Sequence, residues 1–384
     1  MVLTKADIQK IPINAGHIVN GQWKVLKKLG EGGCGVVWQV QHVKTDNLAA
    51  LKAEPFGMLK EDELLKMEVF VLKKLVNAKH VCKLLATGKG STYYFVIMTL
   101  IGPSLSELRK AMPGQKFELP TTLHVGVETL EGIKEVHEAG FVHRDIKPSN
   151  FAIAVKNKRL IYILDFGLAR QIIITDKGKS KLREPRKNVP FKGTVRYCSL
   201  NVHRKEEAGK HDDLWSWFYM LIEMLNGELP WKCMDRGQAE RCKENSEKKL
   251  TTMIPKELWI YFKTLKRLNY NKTPDYNQFK SPLLETAKRR GLAVSQLPLP
   301  WEGKGKLAHL LNVPATTAIK PKEKIADEKR EQDKAPISEA ANNTKYGVVD
   351  IKEDEYDDND DEQASHVSGK SETDDTLGGL NDIK

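Results

Sequence analysis

The first hundred residues contain short apolar runs with strand-like alternation, separated by turns rich in glycine and lysine. We interpret five such runs as strands: residues 23–30, 35–42, 48–54, 81–88 and 93–100. Between the third and fourth runs, apolar residues recur at helical spacing, at Leu65, Val69, Leu72 and Leu75. The pattern predicts a small β-rich region that contains one main helix.

Helical spacing takes over after residue 103. Residues 121–139 carry apolar side chains on one face, and Gly140 follows as a typical helix C-terminus. Residues 212–226 are apolar nearly all round, which indicates a buried helix. Helical patterns continue beyond it, and Trp301 is expected to be the last packed residue. We therefore predict an α+β fold with two lobes, a small β-rich lobe followed by a larger, mostly helical lobe.

The composition divides the chain into three parts. Aromatic residues nearly vanish after residue 303, and residues 350–362 hold nine acidic side chains in thirteen positions. Such a segment cannot bury enough apolar surface to fold. The predicted parts are a lead-in over 1–22, a folded domain over 23–302 (lobes at about 23–101 and 102–302), and a disordered tail over 303–384, acidic toward its end.

The net charge of +11 conceals an asymmetry between the domain and the tail. Residues 303–384 carry 12 basic and 19 acidic side chains, which leaves a net charge of +18 on residues 1–302. A basic domain attracts acidic partners, although an ordinary solvated surface explains the charge equally well. The domain lacks an aromatic-rich nucleic-acid module, so nucleic acid is an unlikely partner.

Several classes of protein are not expected. No apolar run reaches the roughly 18 residues that span a bilayer, and the N-terminus carries no apolar signal segment. The five cysteines are scattered without a C-x-x-C pair, which favours a reducing compartment without structural zinc. We expect a cytoplasmic protein, with the nucleus as a second location.

Two motifs in the second lobe carry the strongest chemical signal. Residues 143–153 read H-R-D-I-K-P-S-N-F-A-I, and residues 164–170 read L-D-F-G-L-A-R. Phosphoryl transfer needs one carboxylate to orient a hydroxyl and oxygen ligands to hold Mg²⁺. The motifs offer Asp145 for the hydroxyl, Lys147 beside the transferred group, and Asn150 and Asp165 for the metal. His143 and Phe166 are expected to pack rather than react.

The first lobe supplies groups that suit a nucleotide. Gly30, Gly32, Gly33 and Gly35, with Val37, match G-x-G-x-x-G-x-V between two predicted strands. A dinucleotide fold requires a helix after this loop, and a strand follows it here. Lys52 in A-A-L-K can reach phosphates if Glu68 on the following helix holds it. The alternatives are an ordinary hairpin, a surface lysine and a solvated glutamate.

Together these motifs resemble the eukaryotic protein kinases over roughly residues 23–290. G-T-V-R-Y-C-S-L-N at 193–201 is similar to the G-T-x-R-Y-A-S-x-N signature of the casein kinase I superfamily. Within that superfamily, L-K-M-E-V-x-V-L-K-K-L around Glu68, H-V-C at 80–82 and H-D-D-L-W-S at 211–216 resemble the tau-tubulin kinases.

The resemblance implies an ATP- and Mg²⁺-dependent protein serine/threonine kinase. It implies that Met98 is the gatekeeper and that Thr99 to Ile101 form the hinge that binds adenine. It also implies that Thr194 braces Asp145 and Lys147, and that Asp213 anchors the catalytic loop. Cys34 at the tip of the glycine loop departs from the family, where an aromatic residue is common.

The resemblance also implies protein substrates that are acidic or already phosphorylated. Candidate anion-binding residues lie near the activation segment: Arg144, Arg183, Arg186, Lys187, Lys192 and Arg196. Arginine suits phosphate because it forms bidentate hydrogen bonds. The alternative is that these side chains only order the loop.

Other hypotheses remain open at this point. The kinase shape could serve as a docking module without turnover, or the chain could phosphorylate a small molecule. The acidic tail, with Ser365, Ser368 and Ser371, could bind the basic groove of the same chain as a tethered competitor or substrate. An inert, solubilising tail is the alternative.

Overall fold

The computed structural model describes residues 11–32, 35–56, 64–176, 178–296 and 299–311. The first lobe is built on one antiparallel sheet in the order β1-β2-β3-β4-β6-β5. Its strands are β1 (Ile18–Val19), β2 (Trp23–Gly32), β3 (Gly35–His42), β4 (Leu48–Pro55), β5 (Leu84–Lys89) and β6 (Tyr93–Thr99). The five predicted strands are confirmed, with the fourth beginning three residues later than expected.

The apolar face of this sheet forms the core of the first lobe. Alternate residues of the strands, such as Val25, Val40 and Leu51, are fully buried there. Ile11 and Ile13, which the sequence assigns to a loose lead-in, are buried in the same cluster. The lead-in prediction is therefore wrong for residues 11–19, because two isolated isoleucines and a short first strand cover the sheet edge.

Helix α1 (Leu64–Lys74) packs on this sheet and confirms the predicted helix. Its inner face contributes Leu65, Val69 and Leu72 to the interior, as the helical spacing predicts. The backbone N–H of Leu65 donates to Glu54 Oε2 at 2.9 Å. A buried carboxylate of β4 thus satisfies a free donor in the first turn of the helix.

The second lobe is mainly helical, as expected for an α+β fold. Its helices are α2 (Leu105–Ala111), α3 (Leu119–Glu138), α4 (Leu200–His203), α5 (Lys210–Asn226), α6 (Arg236–Glu244), α7 (Glu247–Thr252), α8 (Ile260–Lys266) and α9 (Asn277–Lys288). Helix α5 is buried on nearly every side, as its composition predicts. Trp217 of α5 donates to Thr129 of α3 at 3.0 Å and packs against Tyr261 and Phe279.

Short strands lie between the helices and carry the loops of the candidate site. β7 (Ile101–Ser104), β9 (Phe151–Ala154) and β10 (Ile161–Ile163) form one antiparallel sheet. β8 (Phe141–Val142) pairs with β11 (Arg170–Gln171), and β12 (Ile173–Asp176) pairs with β13 (Lys179–Leu182). The β8–β11 pair brings the segment before the first aspartate motif together with the segment after the second.

The packed part of the chain extends past Trp301. That side chain is fully buried, and its indole N–H donates to Lys158 O at 2.9 Å. Leu307 is also buried, so Trp301 is not the last packed residue. The remainder of the tail, with its acidic run and serines, lies outside the described residues.

Neither a membrane-crossing segment nor a metal-binding cluster is found in the described part of the chain. No helix there is both long and apolar enough to cross a bilayer. No group of three or more His, Cys, Asp or Glu side chains there is arranged to hold a metal ion.

His80 joins the two lobes through ion pairs with helix α3. Its Nδ1 lies 2.9 Å from Glu135 Oε1, and its Nε2 lies 3.4 Å from Glu128 Oε2. Burial alone would lower the pKa of His80, but the two carboxylates raise it to about 9. The folded protein therefore holds this proton more tightly than the unfolded chain, whose histidine pKa is near 6.5.

We predict that the stability from His80 is fully present below pH 6.5 and is lost as the pH rises to 9. Over that window the free energy of unfolding of the wild type should fall by about 3 kcal/mol more than that of His80→Gln. Denaturant unfolding at pH 6 and pH 9.5 measures both, with exposed His17→Gln as the control. Equal pH dependence in wild type and His80→Gln would contradict the ion-pair assignment.

Candidate active site

The glycine loop connects β2 to β3 and faces β4. Gly30 pairs with Val37, and Gly32 pairs with Gly35. Gly35 has φ +110°, and a Cβ there would lie 2.5 Å from Ala53 O, so only glycine fits. Gly33 and Cys34 at the tip lie outside the described residues. The described strand ends thus place Gly30, Gly32 and Gly35 at one end of the hairpin, and glycine allows a backbone to approach phosphate closely.

Lys52 of β4 forms the charged centre of the first lobe. Its Nζ lies 2.5 Å from Glu68 Oε2 and 3.8 Å from Asp165 Oδ1. Lys52 and Glu68 are both nearly inaccessible to solvent. The structure thus brings together Lys52, Glu68 and Asp165, which are well separated in the sequence, and the surface-lysine alternative is excluded.

The carboxylates around Lys52 have opposite pKa shifts. Burial raises the pKa of Glu68 by more than Lys52 lowers it. Burial also acts to raise the pKa of Asp165, but Lys52, His143 and Lys147 outweigh it and hold that pKa below its usual range. Asp165 is therefore a carboxylate at neutral pH, which is the form that binds a metal ion.

Three polar side chains surround Asp145: Lys147 and Asn150 from the loop before β9, and Thr194 from a later segment. Thr194 Oγ1 donates to Asp145 Oδ1 at 2.7 Å, and Lys147 Nζ lies 2.5 Å from Asp145 Oδ2. Lys147 also donates to Thr194 at 3.3 Å, so the three side chains form a closed network. Asn150 Nδ2 donates to Asp145 O at 2.9 Å, which leaves its amide oxygen to coordinate a cation.

Asp213 of α5 holds the backbone of this loop. Its carboxylate accepts from His143 N at 2.7 Å and from Arg144 N at 2.9 Å, as the resemblance implies. Arg144 has φ +67°, a conformation that a non-glycine residue adopts only when its surroundings hold it. His137 Nε2 of α3 lies 2.8 Å from Asp213 Oδ2, and His137 Nδ1 lies 2.6 Å from the hydroxyl of Tyr276. These two hydrogen bonds hold the Asp213 carboxylate in place.

His143 and Phe166 pack, as the sequence predicts. His143 is buried with its ring 5.5 Å from that of Phe166, and its Nε2 lies 2.9 Å from Leu164 O. Asp165, the residue before Phe166, does not pack in this way: its backbone has φ +65°, and its carboxylate lies 3.8 Å from Lys52 Nζ.

The predicted hinge connects β6 to β7. Met98 and Ile101 are half-buried, and Leu100 is buried. The backbone N–H of Thr99 donates to Lys83 O, and its hydroxyl accepts from Lys83 N, both at 3.0 Å. Because the Thr99 N–H is already bonded within the protein, that group is not the donor that contacts an adenine.

The predicted anion-binding arginines are bonded within the protein. Arg144 donates to Leu168 O at 2.6 Å, and Arg186 donates to Glu207 at 2.7 Å. Glu207 is buried and also lies 3.5 Å from Arg170. The Glu207 carboxylate thus holds the activation segment, which favours the loop-ordering alternative for Arg144 and Arg186.

The other candidates differ in their environments. Arg183 is half-buried, Lys187 is exposed and Lys192 is half-buried. Arg196 binds Glu223 at 3.2 Å and still lines a pocket of about 360 Å³ next to the Asp145 network. The pocket wall includes Lys147, Ser149, Thr194, Arg196, Trp231 and Lys232. Arg196 is thus the candidate that lines the same pocket as Lys147.

Gly193 explains how the activation segment approaches the loop of Asp145. Its φ is +101°, and a Cβ there would lie 2.5 Å from Arg144 O. A residue with a side chain would therefore push Thr194 away from Asp145.

Sequence reasoning missed three buried charged residues near the site. Glu54 lies two positions after Lys52 on the same face of β4, and its pKa is raised to about 7, chiefly by burial. The strand period of two was a usable signal for Glu54. Glu207 and Lys243 carry no comparable signal, because single charged residues on helical or loop segments are usually solvated.

Comparisons with known proteins agree with this geometry. A protein kinase domain model matches residues 23–297. The chain is 36% identical over 299 residues to a serine/threonine-protein kinase of Dictyostelium discoideum, covering 77% of this chain and 59% of the relative. A serine/threonine-protein kinase of Caenorhabditis elegans is 36% identical over 308 residues, covering 78% of this chain and 87% of that protein. The chain belongs to the protein kinase domain family.

The names of the similar proteins indicate which type of protein kinase this chain is. The two kinases named above place the chain with the serine/threonine-protein kinases, which are phosphotransferases. A casein kinase I of C. elegans is 34% identical over 239 residues, covering 61% of this chain and 68% of that protein.

Proposed function

We propose that this protein transfers the γ-phosphate of Mg-ATP to serine and threonine hydroxyls of protein substrates. The observation that carries the proposal is that the cluster of Lys52, Glu68 and Asp165 lies next to the network of Asp145, Lys147 and Thr194. Asn150 links the two, because its carbonyl accepts from the N–H of Leu164, the neighbour of Asp165, and its side chain donates to Asp145 O, both at 2.9 Å. This geometry supports phosphoryl transfer, which depends on positioning and charge stabilisation.

The residues present fit ATP and a magnesium ion. Gly35 lets the glycine loop lie close against β4, because a Cβ there would lie 2.5 Å from Ala53 O. Asp165 and Asn150 are the oxygen ligands that Mg²⁺ prefers, and Lys52 is available for phosphate oxygens. Mg²⁺, when bound, neutralises charge on the transferred phosphoryl group.

Each charged residue of the site has a separate role in the proposed reaction. Glu68 orients Lys52 toward the phosphates through their 2.5 Å ion pair. Asp145 orients the substrate hydroxyl and accepts its proton, while Thr194 fixes the rotamer of Asp145. Lys147 then offsets negative charge at the transferred group.

We further propose that the preferred substrates are acidic or already phosphorylated proteins. Support comes from the net charge of +18 on residues 1–302 and from Arg196 and Lys232 in the pocket beside Lys147. Arg196 donates to Glu223 and to Lys232 O, and its side chain remains about one-third exposed, so it can also reach a substrate anion.

Labelled-phosphate transfer to three proteins tests this preference. Casein should accept phosphate several-fold faster than enzymatically dephosphorylated casein, and both should exceed basic histone. A preference for histone over both forms of casein would contradict the charge-based substrate assignment while leaving kinase activity intact.

Within the casein kinase I superfamily, we propose that this chain is closest to the tau-tubulin kinases. The motifs around Glu68 and at 80–82 and 211–216 support this placement. A phylogeny of kinase domains tests it, and placement of the chain outside that group would reject it.

For the acidic tail, we propose binding in cis to the basic substrate groove, where it competes with protein substrates. Truncation after residue 311 is the appropriate variant because Leu307 is packed. The truncated protein should show a lower KM for casein. An unchanged KM, with no phosphate on Ser365, Ser368 or Ser371, would reject the proposal and favour a solubilising tail.

A further inference from the structure

Helix α6 buries a lysine against the loop that lines the pocket next to Lys147. Lys243 is only 5% exposed. No carboxylate of the described residues forms an ion pair with it within 4.0 Å. An ammonium group in this position must satisfy its three N–H donors with neutral acceptors, since burying it without them is costly.

The three close acceptors of Lys243 all come from the segment after Thr194. Its Nζ donates to Val195 O at 2.7 Å and to Cys198 O at 2.6 Å, and it lies 3.1 Å from His203 Nε2. The Cys198 thiol is a fourth, weaker acceptor at 3.6 Å. The rings of Tyr219 and Trp231 have centroids 5.4 Å from Nζ. Carbonyl dipoles and ring faces together replace the solvation that burial removes.

The hydrogen bonds from Lys243 help to fix the backbone of the 195–198 loop. Thr194 O accepts the N–H groups of Tyr197 and Cys198, at 2.9 and 3.0 Å, and Trp231 donates to Arg196 O at 2.7 Å. Lys243 donates to two further carbonyls, those of Val195 and Cys198, which lie on either side of Arg196 and Tyr197 in the chain. Val195, Arg196 and Tyr197 line the pocket together with Lys147.

We propose that Lys243 is a positioning residue for the protein substrate. Its ammonium group fixes the 195–198 loop through the carbonyls of Val195 and Cys198. The role of this loop in binding substrate rests on the proposed function. Among the described residues, the hydrogen bonds of Lys243 go to positions 195, 198 and 203, and none goes to Lys52, Asp165 or Asp145, so it acts on protein-substrate binding and not on ATP binding.

The charge of Lys243 makes this positioning dependent on pH. Burial lowers the pKa of Lys243 to about 8, although Cys198, Cys242 and Glu240 act in the opposite direction. Burial, Lys243 and Arg236 lower the pKa of His203 to about 4, so His203 stays a neutral acceptor. Burial raises the pKa of Cys198 and of the facing Tyr219, so neither ionises before Lys243. A neutral amine has only two N–H donors, so one of the three acceptors loses its bond above pH 8.

Steady-state kinetics of Lys243→Met in the full-length chain, with casein as the substrate, test the proposal. The KM for casein should rise by about tenfold or more while the KM for ATP stays unchanged. The control is Lys280→Met, which removes a lysine bound to Glu131 on a distant surface. Lys243→Arg, which cannot lose its proton, should lack the fall in kcat/KM for casein that the wild type shows above pH 8.

Hydrogen–deuterium exchange of amides 195–199 provides a readout that needs no catalysis. These amides should exchange faster in Lys243→Met than in the wild type and in Lys280→Met. Unchanged exchange together with an unchanged KM for casein would overturn the proposal. If Lys243→Met does not fold, the comparison of wild type with Lys243→Arg decides. An equal fall in kcat/KM for casein above pH 8 in both proteins would then overturn the proposal. A wild type that transfers no phosphate, combined with faster loop exchange in Lys243→Met, would reject the proposed function but retain the loop contact.

Discussion

Asp145→Asn should reduce phosphate transfer to casein by ~10²–10⁴-fold, the range typical of losing a general base. Asparagine has nearly the same shape and can still accept from Thr194, so the loop should keep its structure. It cannot take a proton from the substrate hydroxyl, and it leaves Lys147 without its carboxylate partner. The effect should appear in kcat, with little change in the KM for ATP.

The matched control for this substitution is Asp46→Asn. Asp46 lies in the exposed turn between β3 and β4 with φ +55°, a conformation that asparagine also tolerates. This variant should retain wild-type transfer. Wild-type incorporation by Asp145→Asn would remove Asp145 from the reaction.

Asp165→Asn should abolish the magnesium-dependent part of ATP binding. The substitution removes the carboxylate proposed to bind Mg²⁺, which lies 3.8 Å from Lys52, and a neutral amide is a weaker ligand for Mg²⁺. In the wild type, ATP at about 100 times its Kd should stabilise the fold by about 2.7 kcal/mol. In the wild type, the shift in Tm caused by ATP should therefore be larger with Mg²⁺ than with EDTA. In the variant, the shift in Tm caused by ATP should be the same with Mg²⁺ and with EDTA.

Asp275→Asn is the control for this second prediction. Asp275 is exposed before α9 and accepts from Asn277 N at 3.0 Å, a bond that an asparagine oxygen can also make. Its Tm shift with Mg-ATP should equal that of the wild type. A full magnesium-dependent shift in Asp165→Asn would show that another group holds the metal.

Periodic and motif-based features of the sequence are the ones that predict this structure well. Strand alternation and the spacing of Leu65, Val69 and Leu72 predict the sheet and its helix because burial of one face sets both patterns. The approach of Lys52 to Glu68 follows once a strand and a helix are known to be neighbours. Motif spacing likewise predicts the network of Asp145 and Lys147.

The remaining features depend on tertiary packing and carry no local signal. Ile11 and Ile13 have no periodic neighbours, so their burial against the sheet could not be predicted. The isoleucine run at 172–174 gives no register for the β12–β13 hairpin. Glu207 and Lys243 look like solvated charges until the fold surrounds them with arginines and with carbonyls, respectively.

The most direct measurement is mass-spectrometric identification of phosphorylated residues in casein after incubation with the full-length protein and Mg-ATP. The account predicts new phosphate on serine and threonine with the wild type and none above background with Asp145→Asn. Casein left unmodified by a wild type that Mg-ATP nevertheless stabilises would contradict it, because the cleft would then bind nucleotide without transferring phosphate.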